Sequence, residues 1–376
     1  MELTDILHAA VNQEASDVVL KDGMPPMFRV HGTLRPCEEA GVLTSELLHE
    51  AMNWILADDT HRLRFATERH ADVAFDQPGL GRFRVNVFRQ RGKVGIVLRL
   101  VPPRIRSLTE LGLPPVLEKL ANERRGLILV TGPTGSGKTT TLAAIVEHIN
   151  QSSARHVITI EDPIEYIHHE QRSVISQREV GDDVSDFPSA LRAALRQNPD
   201  VIMVGEMRDV ETMETAIMAA ETGHLVLSTL HTMDAPDTVL RIAGAFPEHQ
   251  REQIRMVLAT VLRGVISQRL LLRADSSGLI PSVEVMVGSA RVREYIEKQR
   301  VRELPEVIAQ GQNTYGMQTF DQSLLALYRA GRITYAEALA HCRNPADFEL
   351  QARDLGSEGG AQRPKSESRG PSRVEL

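Results

Sequence analysis

One segment restricts the fold of this chain more than any other. Residues 132–139 read Gly-Pro-Thr-Gly-Ser-Gly-Lys-Thr and match G-x-x-x-x-G-K-[ST] at every fixed position. The apolar run Leu127–Thr131 before it predicts a strand, and Lys138–Asn150 after it has a helical pattern. A glycine-rich loop between a strand and a helix can point its backbone N–H groups at phosphate oxygens. The sequence therefore predicts a phosphate-binding loop on a sheet covered by helices.

This loop supplies the candidate nucleotide-binding residues. The lysine can reach the β and γ phosphates, and the threonine that follows it can offer its hydroxyl to Mg²⁺. We therefore expect ATP and Mg²⁺ as cofactors. The predicted cofactor-binding residues are Gly132, Pro133, Thr134, Gly135, Ser136, Gly137, Lys138, Thr139 and Thr140.

Two other predicted strands end in acidic residues. Val201–Val204 is followed by Gly205 and Glu206, and His156–Ile160 is followed by an acidic segment that begins with Glu161. In P-loop enzymes such carboxylates bind Mg²⁺ or orient the attacking water. We predict that Thr139 and Glu206 bind the metal and that Glu161 and Glu206 are catalytic. The sequence does not decide which of the two is the principal base.

Histidines lie near the end of another predicted strand. His231 follows Leu225–Thr229, where an imidazole could sense the γ-phosphate or hydrogen-bond across a subunit boundary. The pair His168-His169 has no companion ligand pattern. We predict that both residues of that pair are solvated surface.

Composition excludes several classes of protein. The net charge is −7 and aromatic residues make up 4 %, which argues against a nucleic-acid-binding protein. The 2 cysteines form no CxxC pair, so spacing predicts no structural zinc site. The N-terminus has no apolar signal segment, and no apolar run is long enough to cross a bilayer. We expect a cytoplasmic protein that inserts into no membrane directly and reaches one only through a partner.

The chain divides into regions of different pattern. Residues 1–101 are predicted as a small α+β domain, with helix over 45–66 and strands near 82–87 and 94–100. Pro102 and Pro103 mark a linker over 102–112. Strands alternate with helices in the region 113–350, which looks mainly helical from 248 apart from a strand near 280–287. The tail 351–376 is predicted to be disordered.

The order of these motifs resembles the secretion-type ring ATPases (GspE/PulE-like), and within them the type IV pilus retraction, or twitching-motility, branch (PilT/PilU-like). The resemblance covers the chain from residue 1 to about 350. It rests on Ser16-Asp17 with Val30-His31-Gly32, the phosphate loop, the aspartate box at 158–166, the Walker B segment at 204–209, the histidine box at 223–232, and Gly316–Gln322.

The resemblance implies a PAS-like N-terminal domain, a RecA-like ATPase domain with a helical C-terminal part, and a homo-hexamer. It implies an ATP hydrolase that powers pilus retraction and twitching motility. His231 matches a residue at the family's nucleotide site, and Arg84 and Arg99 match arginines that approach the phosphates. The partners implied by the resemblance are an inner-membrane pilus platform protein and a paralogous retraction ATPase, so that the protein is expected to be peripheral at the inner membrane.

Two departures leave alternatives open. Retraction ATPases usually carry Ala-Ile-Arg-Asn-Leu-Ile, where this chain reads Ala-Arg-Val-Arg-Glu-Tyr-Ile at 290–296. The segment from Phe320 to Leu339 also resembles the accessory retraction paralogue, which depends on a co-motor. A pilus-assembly or type II secretion ATPase is a further alternative, although such proteins generally carry a four-cysteine zinc module. A helicase-like motor and a regulatory subunit that does not hydrolyse nucleotide agree less well with the composition and the intact motifs.

Overall fold

Two β-sheets organise the chain, one on each side of the predicted linker. The computed structural model describes residues 2–30, 32–101 and 104–356. His31, Pro102 and Pro103 of the predicted motifs, and positions 357–376 of the predicted tail, lie outside the described residues. The two sheets have six and seven strands, which confirms the predicted α/β class.

The first sheet is antiparallel throughout, with strand order β3-β2-β1-β6-β5-β4. Alternation explains its strands, because in β5 the side chains of Phe83, Val85 and Val87 are buried while Arg84 points the other way. The elements of this region are α1 (Leu3–Asn12), β1 (Asp17–Lys21), β2 (Met27–Val30), β3 (Thr33–Pro36), α2 (Ser45–Ile55), α3 (Asp59–Glu68), β4 (His70–Gln77), β5 (Gly81–Gln90) and β6 (Lys93–Leu100).

The second sheet has the order β13-β12-β7-β11-β10-β8-β9. All neighbouring strands are parallel except the antiparallel pair β12 and β13. Its strands are β7 (Gly126–Thr131), β8 (His156–Glu161), β9 (Val174–Glu179), β10 (Val201–Val204), β11 (Leu225–Leu230), β12 (Leu262–Leu272) and β13 (Leu279–Val287). Because β7, β8, β10 and β11 are parallel, the loops that follow them meet at one edge.

Helices cover both faces of this sheet. Their apolar side chains pack against those of the strands in two buried clusters. The central strands are buried over their whole length, as in other parallel sheets with helices on both faces. The helices are α4 (Val116–Ala121), α5 (Lys138–Ser152), α6 (Phe187–Ala194), α7 (Val210–Glu221), α8 (Ala235–Ala245), α9 (Glu248–Val261), α10 (Ala290–Glu297), α11 (Leu304–Gln310), α12 (Gln312–Tyr315), α13 (Phe320–Arg329), α14 (Tyr335–His341) and α15 (Pro345–Gly356).

Several predicted elements were wrong in extent or type. The predicted helix over 45–66 is two helices, because the side chain of Asp58 caps the start of α3. The region predicted as mainly helical from 248 contains the long strand β12, whose extended state is fixed by pairing with β7 and β13. Helix α15 continues past the predicted start of the disordered tail at 351, because Phe348 is buried in the C-terminal apolar cluster.

Polar contacts join the first domain to the second at the edge strand β9. A guanidinium N–H of Arg82 on β5 donates to Oε2 of Glu179 at 2.9 Å, and both side chains are largely buried. Nε2 of His61 on α3 lies 2.9 Å from a carboxylate oxygen of Asp182. The same oxygen of Glu179 accepts the backbone N–H of Ile164 at 3.1 Å. The first domain therefore contacts the segment that follows β8.

A buried carboxyl group connects β13 to the start of α8. Oε1 of Glu284 accepts the backbone N–H of Ala235 at 2.9 Å. The pKa of Glu284 is raised from 4.5 to about 7, mainly by burial. The hydrogen bond from Ala235 and the charges of Arg343 and Arg269 oppose this rise, while the charge of Asp234 adds to it. The carboxyl group therefore keeps its proton in the folded chain at a pH where the unfolded chain has lost it.

This shift predicts a stability that depends on pH. The folded pKa exceeds the unfolded one, so the free energy of unfolding falls as pH rises from about 4.5 to about 7 and stays low above that range. Because Gln carries no charge, Glu284→Gln should stabilise the protein by up to about 3 kcal/mol at pH 8 and change little at pH 5. Urea unfolding at both pH values measures the difference, with Glu252→Gln at an exposed position as control. An effect of Glu284→Gln that is equal at both pH values would contradict the assignment.

Candidate nucleotide site

The phosphate loop lies between β7 and α5, as its sequence predicts. Its three motif glycines have φ values of +142° (Gly132), +79° (Gly135) and +87° (Gly137), which side-chain-bearing residues rarely adopt. A Cβ at Gly132 would lie 2.3 Å from the backbone oxygen of Gln268. Conformation and space therefore both require glycine at Gly132.

Lys138 begins α5 and folds back over the loop. Its ammonium donates to the carbonyl oxygens of Gly132 at 3.0 Å and Pro133 at 2.9 Å. Burial lowers the pKa of Lys138, and the nearby charge of Glu206 partly offsets this effect. The loop thus holds a compact positive charge beside backbone N–H groups, which is the arrangement that binds phosphate.

The loop depends on β12 for its shape. The side-chain amide of Gln268 donates to the carbonyl of Ser136 at 2.7 Å and accepts from the hydroxyl of Thr141 at 2.7 Å. Sequence reasoning missed Gln268, because it lies far along the chain in a region predicted to be helical. The hydroxyl of Ser136 is buried without a hydrogen-bond partner among the described residues. A phosphate oxygen at this loop would satisfy it.

The predicted acid and histidine of the neighbouring strands meet beside the loop. Glu206, after β10, lies with Oε1 2.5 Å from a guanidinium nitrogen of Arg208 and with Oε2 3.6 Å from Nε2 of His231. His231, after β11, is half exposed, whereas Glu206 is largely buried. The parallel order of β10 and β11 therefore brings these two residues together from separate motifs.

Glu161 is the last residue of β8 and is almost fully buried. Its Oε1 accepts from the hydroxyl of Thr159 at 2.7 Å and from the amide of Gln177 at 3.2 Å. Burial raises the pKa of Glu161, and these two hydrogen bonds oppose the rise. A carboxylate with a raised pKa, held by fixed donors, is suited to accept or orient a proton.

A cavity of about 680 Å³ contains all the predicted catalytic residues. Arg84 and Arg99, on β5 and β6, line this cavity together with residues of the phosphate loop. Arg84 lies 3.9 Å from Glu165, and Nε of Arg99 donates to Asp17 at 2.9 Å. The predicted residues that line the cavity are Arg84, Arg99, Thr134, Gly135, Gly137, Lys138, Thr139, Thr140, Glu161, Glu206 and His231.

Comparison with known proteins agrees with this geometry. The family described as type II/IV secretion system protein matches residues 2–330. The chain belongs to this family. It is 40 % identical over 353 residues to the type IV pilus retraction ATPase PilT of Pseudomonas aeruginosa, with 93 % of this chain and 100 % of that protein covered. It is 41 % identical over 370 residues to the type IV pilus ATPase PilU of the same organism, with 98 % and 96 % covered.

A solved structure supports the same assignment. The pilus retraction motor PilT with bound ADP superposes with a TM-score of 0.87 at 42 % identity, over 93 % of this chain and 99 % of that chain. The predicted fold, an N-terminal domain followed by a RecA-like ATPase domain, is thereby confirmed. So is the prediction of a nucleotide-binding ATP hydrolase of this family. No helix among the described residues is long and apolar enough to span a membrane.

The site agrees with the way a Mg²⁺–nucleotide complex is bound in this class of enzyme. Thr139 and Glu206, one hydroxyl and one carboxylate, line the same cavity as the phosphate loop. Within the described ranges, no three His, Cys, Asp or Glu side chains form a metal-binding group. Mg²⁺ is usually held by one or two protein oxygens together with substrate phosphates and water, so this small donor set fits that ion.

Gly137 of the phosphate loop also lines a second cavity, of about 480 Å³. Gly137, Thr140 and Leu270 line both cavities. Leu111, Leu113 and other apolar side chains form part of the wall of the second one.

The predicted exposure of His168 was wrong. Its side chain is almost fully buried, and Nδ1 lies 3.1 Å from a carboxylate oxygen of Glu147 on α5. This hydrogen bond is the main reason why the pKa of Glu147 is lowered. The next residue, His169, is exposed as predicted. The sequence does not distinguish the buried His168 from the exposed His169, since the Glu147 partner of His168 lies on α5, far away in the chain.

Removing single charges should separate binding from hydrolysis. Glu206→Gln should retain ADP binding and lose nearly all ATP turnover, since it keeps the shape and removes the charge needed near Mg²⁺ and water. Lys138→Ala, the matched variant in the loop, should abolish turnover and weaken nucleotide binding. Fluorescent-ADP titration and phosphate release measure the two effects. Near wild-type hydrolysis by either variant would contradict the site.

Proposed function

We propose that this chain is a hexameric ATPase that powers type IV pilus retraction and twitching motility. The observation that carries the proposal is the complete nucleotide cavity of a family member whose relatives PilT and PilU match it over nearly their whole length. The proposed location is the cytoplasm, at the inner membrane, through a pilus platform protein. A paralogous retraction ATPase is a further proposed partner, and nucleic acid is not.

Each cavity residue has a proposed task in hydrolysis. Lys138 and the loop N–H groups bind the β and γ phosphates. Thr139 and Glu206 would hold Mg²⁺, which neutralises phosphate charge when bound. Glu161 and Glu206 orient the attacking water and one of the two accepts its proton, and His231 contacts the γ-phosphate beside Glu206. The site leaves open which of Glu161 and Glu206 is the principal base.

Arg84 and Arg99 are proposed to complete the site from the N-terminal domain. Both lie in the cavity of their own chain and keep part of their side chain exposed there. Closure of the N-terminal domain over the loop would bring their charge to the phosphates, where arginine stabilises the charge of the transition state. In this proposal the arginines come from the N-terminal domain of the same chain.

A subunit-mixing experiment tests this arrangement. We expect Arg84→Ala and Lys138→Ala chains to be inactive separately and to stay inactive when co-assembled. If both residues act within their own chain, every site in a mixed ring still lacks either Arg84 or Lys138. Co-expression with two affinity tags provides the mixed assemblies, and light scattering checks that they are rings of about six chains. Recovery of activity on mixing would show that the arginine acts across a subunit boundary.

The accessory paralogue remains the second candidate, since the identities to PilT and PilU are nearly equal. The segment that departs from the retraction pattern forms α10, in which Val292 and Ile296 are buried while Arg291 and Glu294 are exposed. The departure thus changes the charged surface of α10 and keeps apolar packing. A changed surface would alter coupling to a partner rather than hydrolysis.

Deletion of the gene distinguishes these functions. We expect the deletion strain to carry more surface pili and to spread less by twitching, because retraction removes pili and pulls the cell. Pilus counts by electron microscopy and stab-agar spreading measure both effects, with a Lys138→Ala strain as the matched control for ATPase loss. Unchanged pili in the deletion strain would favour an accessory role. A strain without pili would make the protein an assembly motor and overturn the proposal.

A further inference from the structure

One side-chain amide of the edge strand β9, that of Gln177, contacts both the end of β8 and the segment 162–168 that follows it. Gln177 lies beside Thr159 in the parallel register of β8 and β9. Its Nε2 donates to Oε1 of Glu161 at 3.2 Å and to the carbonyl of Tyr166 at 2.8 Å. Its Oε1 accepts the backbone N–H of His168 at 2.8 Å. One side chain thus connects the end of β8 with the far end of the loop that follows it.

The orientation of this amide is fixed by its partners. The backbone N–H of His168 can only donate, and the carbonyl of Tyr166 can only accept. The oxygen of the Gln177 amide must therefore face His168, and the nitrogen must face Tyr166 and Glu161. An N–H donor of Gln177 consequently points at the Glu161 carboxylate.

We propose that Gln177 is a positioning residue for Glu161, setting the direction in which the Glu161 carboxylate faces the phosphate cavity. With Thr159, it supplies two donors to Oε1, which restrains rotation of the carboxylate. Its other two bonds keep the 162–168 segment closed on β9. The inference rests on the proposed role of Glu161 in hydrolysis.

The segment held by Gln177 also contacts the phosphate loop. The hydroxyl of Tyr166 lies 2.9 Å from that of Thr140, a residue that lines both cavities. His168 is held from the other side by Glu147 of α5. A shift of the segment away from β9 would therefore break the Tyr166–Thr140 contact and the Gln177 bond that orients the Glu161 carboxylate, while Lys138 and Thr139 stay on α5.

Two substitutions in the full-length chain separate positioning from general support. Gln177→Glu keeps an acceptor for His168 but replaces the donor facing Glu161 with a carboxylate oxygen. Gln177→Met keeps the volume and removes both functions. We expect each to lower kcat about tenfold or more, since partners that orient a reacting group are typically worth about ten- to a hundredfold. KM for ATP and Kd for ADP should stay within about twofold.

The matched control is Ser176→Ala, the preceding residue on β9, whose hydroxyl bonds to His156 instead. It should leave kcat unchanged. A double variant distinguishes the positioning of Glu161 from general structural support. In a Glu161→Gln background, Gln177→Met should lower the residual rate less than twofold, because the group that Gln177 positions is already gone.

The outcomes distinguish failure of the inference from failure of the proposed function. Wild-type kcat in Gln177→Glu, or a parallel loss of kcat, ADP affinity and melting temperature in both variants, would overturn the positioning role. Full hydrolysis by Glu161→Gln would instead overturn the role of Glu161 itself. Loss of turnover in Glu161→Gln and in both Gln177 variants, with ADP binding kept, supports the inference.

Discussion

The close approach of β12 to the phosphate loop is the constraint on which the rest of the site depends. A side chain at Gly132 would collide with the backbone of Gln268, and the amide of Gln268 holds the loop from the other side. The loop can therefore take its phosphate-binding shape only where β12 is paired beside β7. Lys138 and the helix dipole of α5 are positioned by that contact, although β12 lies more than a hundred residues further along the chain.

Parallel pairing then brings the predicted catalytic groups together. The carboxyl ends of β8, β10 and β11 lie at the same edge as the phosphate loop, so Glu161, Glu206 and His231 reach one cavity from three separate segments. Burial gives these groups different surroundings. Glu161 is almost fully buried and has a raised pKa, whereas Glu206 forms an ion pair with the guanidinium group of Arg208. Two carboxylates in one cavity can thus take different roles.

The N-terminal domain contributes to the same cavity through charged contacts. Arg82 binds Glu179, which also holds Ile164 in the segment after β8, and Arg84 approaches Glu165. A rotation of the first domain would therefore act on the segment that carries Glu161 as well as on Arg84 and Arg99. Coupling of domain motion to hydrolysis needs contacts of this kind, since a motor must connect its chemistry to movement.

The sequence by itself determined the phosphate loop, the α/β class and the acids and histidine at the strand ends, because these follow from local patterns of apolar strands and adjacent polar residues. Tertiary structure alone decided that β12 is a strand, that His168 is buried, and that Gln177 and Gln268 support the site. Each of these depends on a partner far away in sequence: a neighbouring strand, the Glu147 carboxylate, the Glu161 carboxylate or the loop backbone. Local periodicity carries no information about such partners. Contact with them decides whether a segment forms a strand, whether a side chain is buried and which groups it supports.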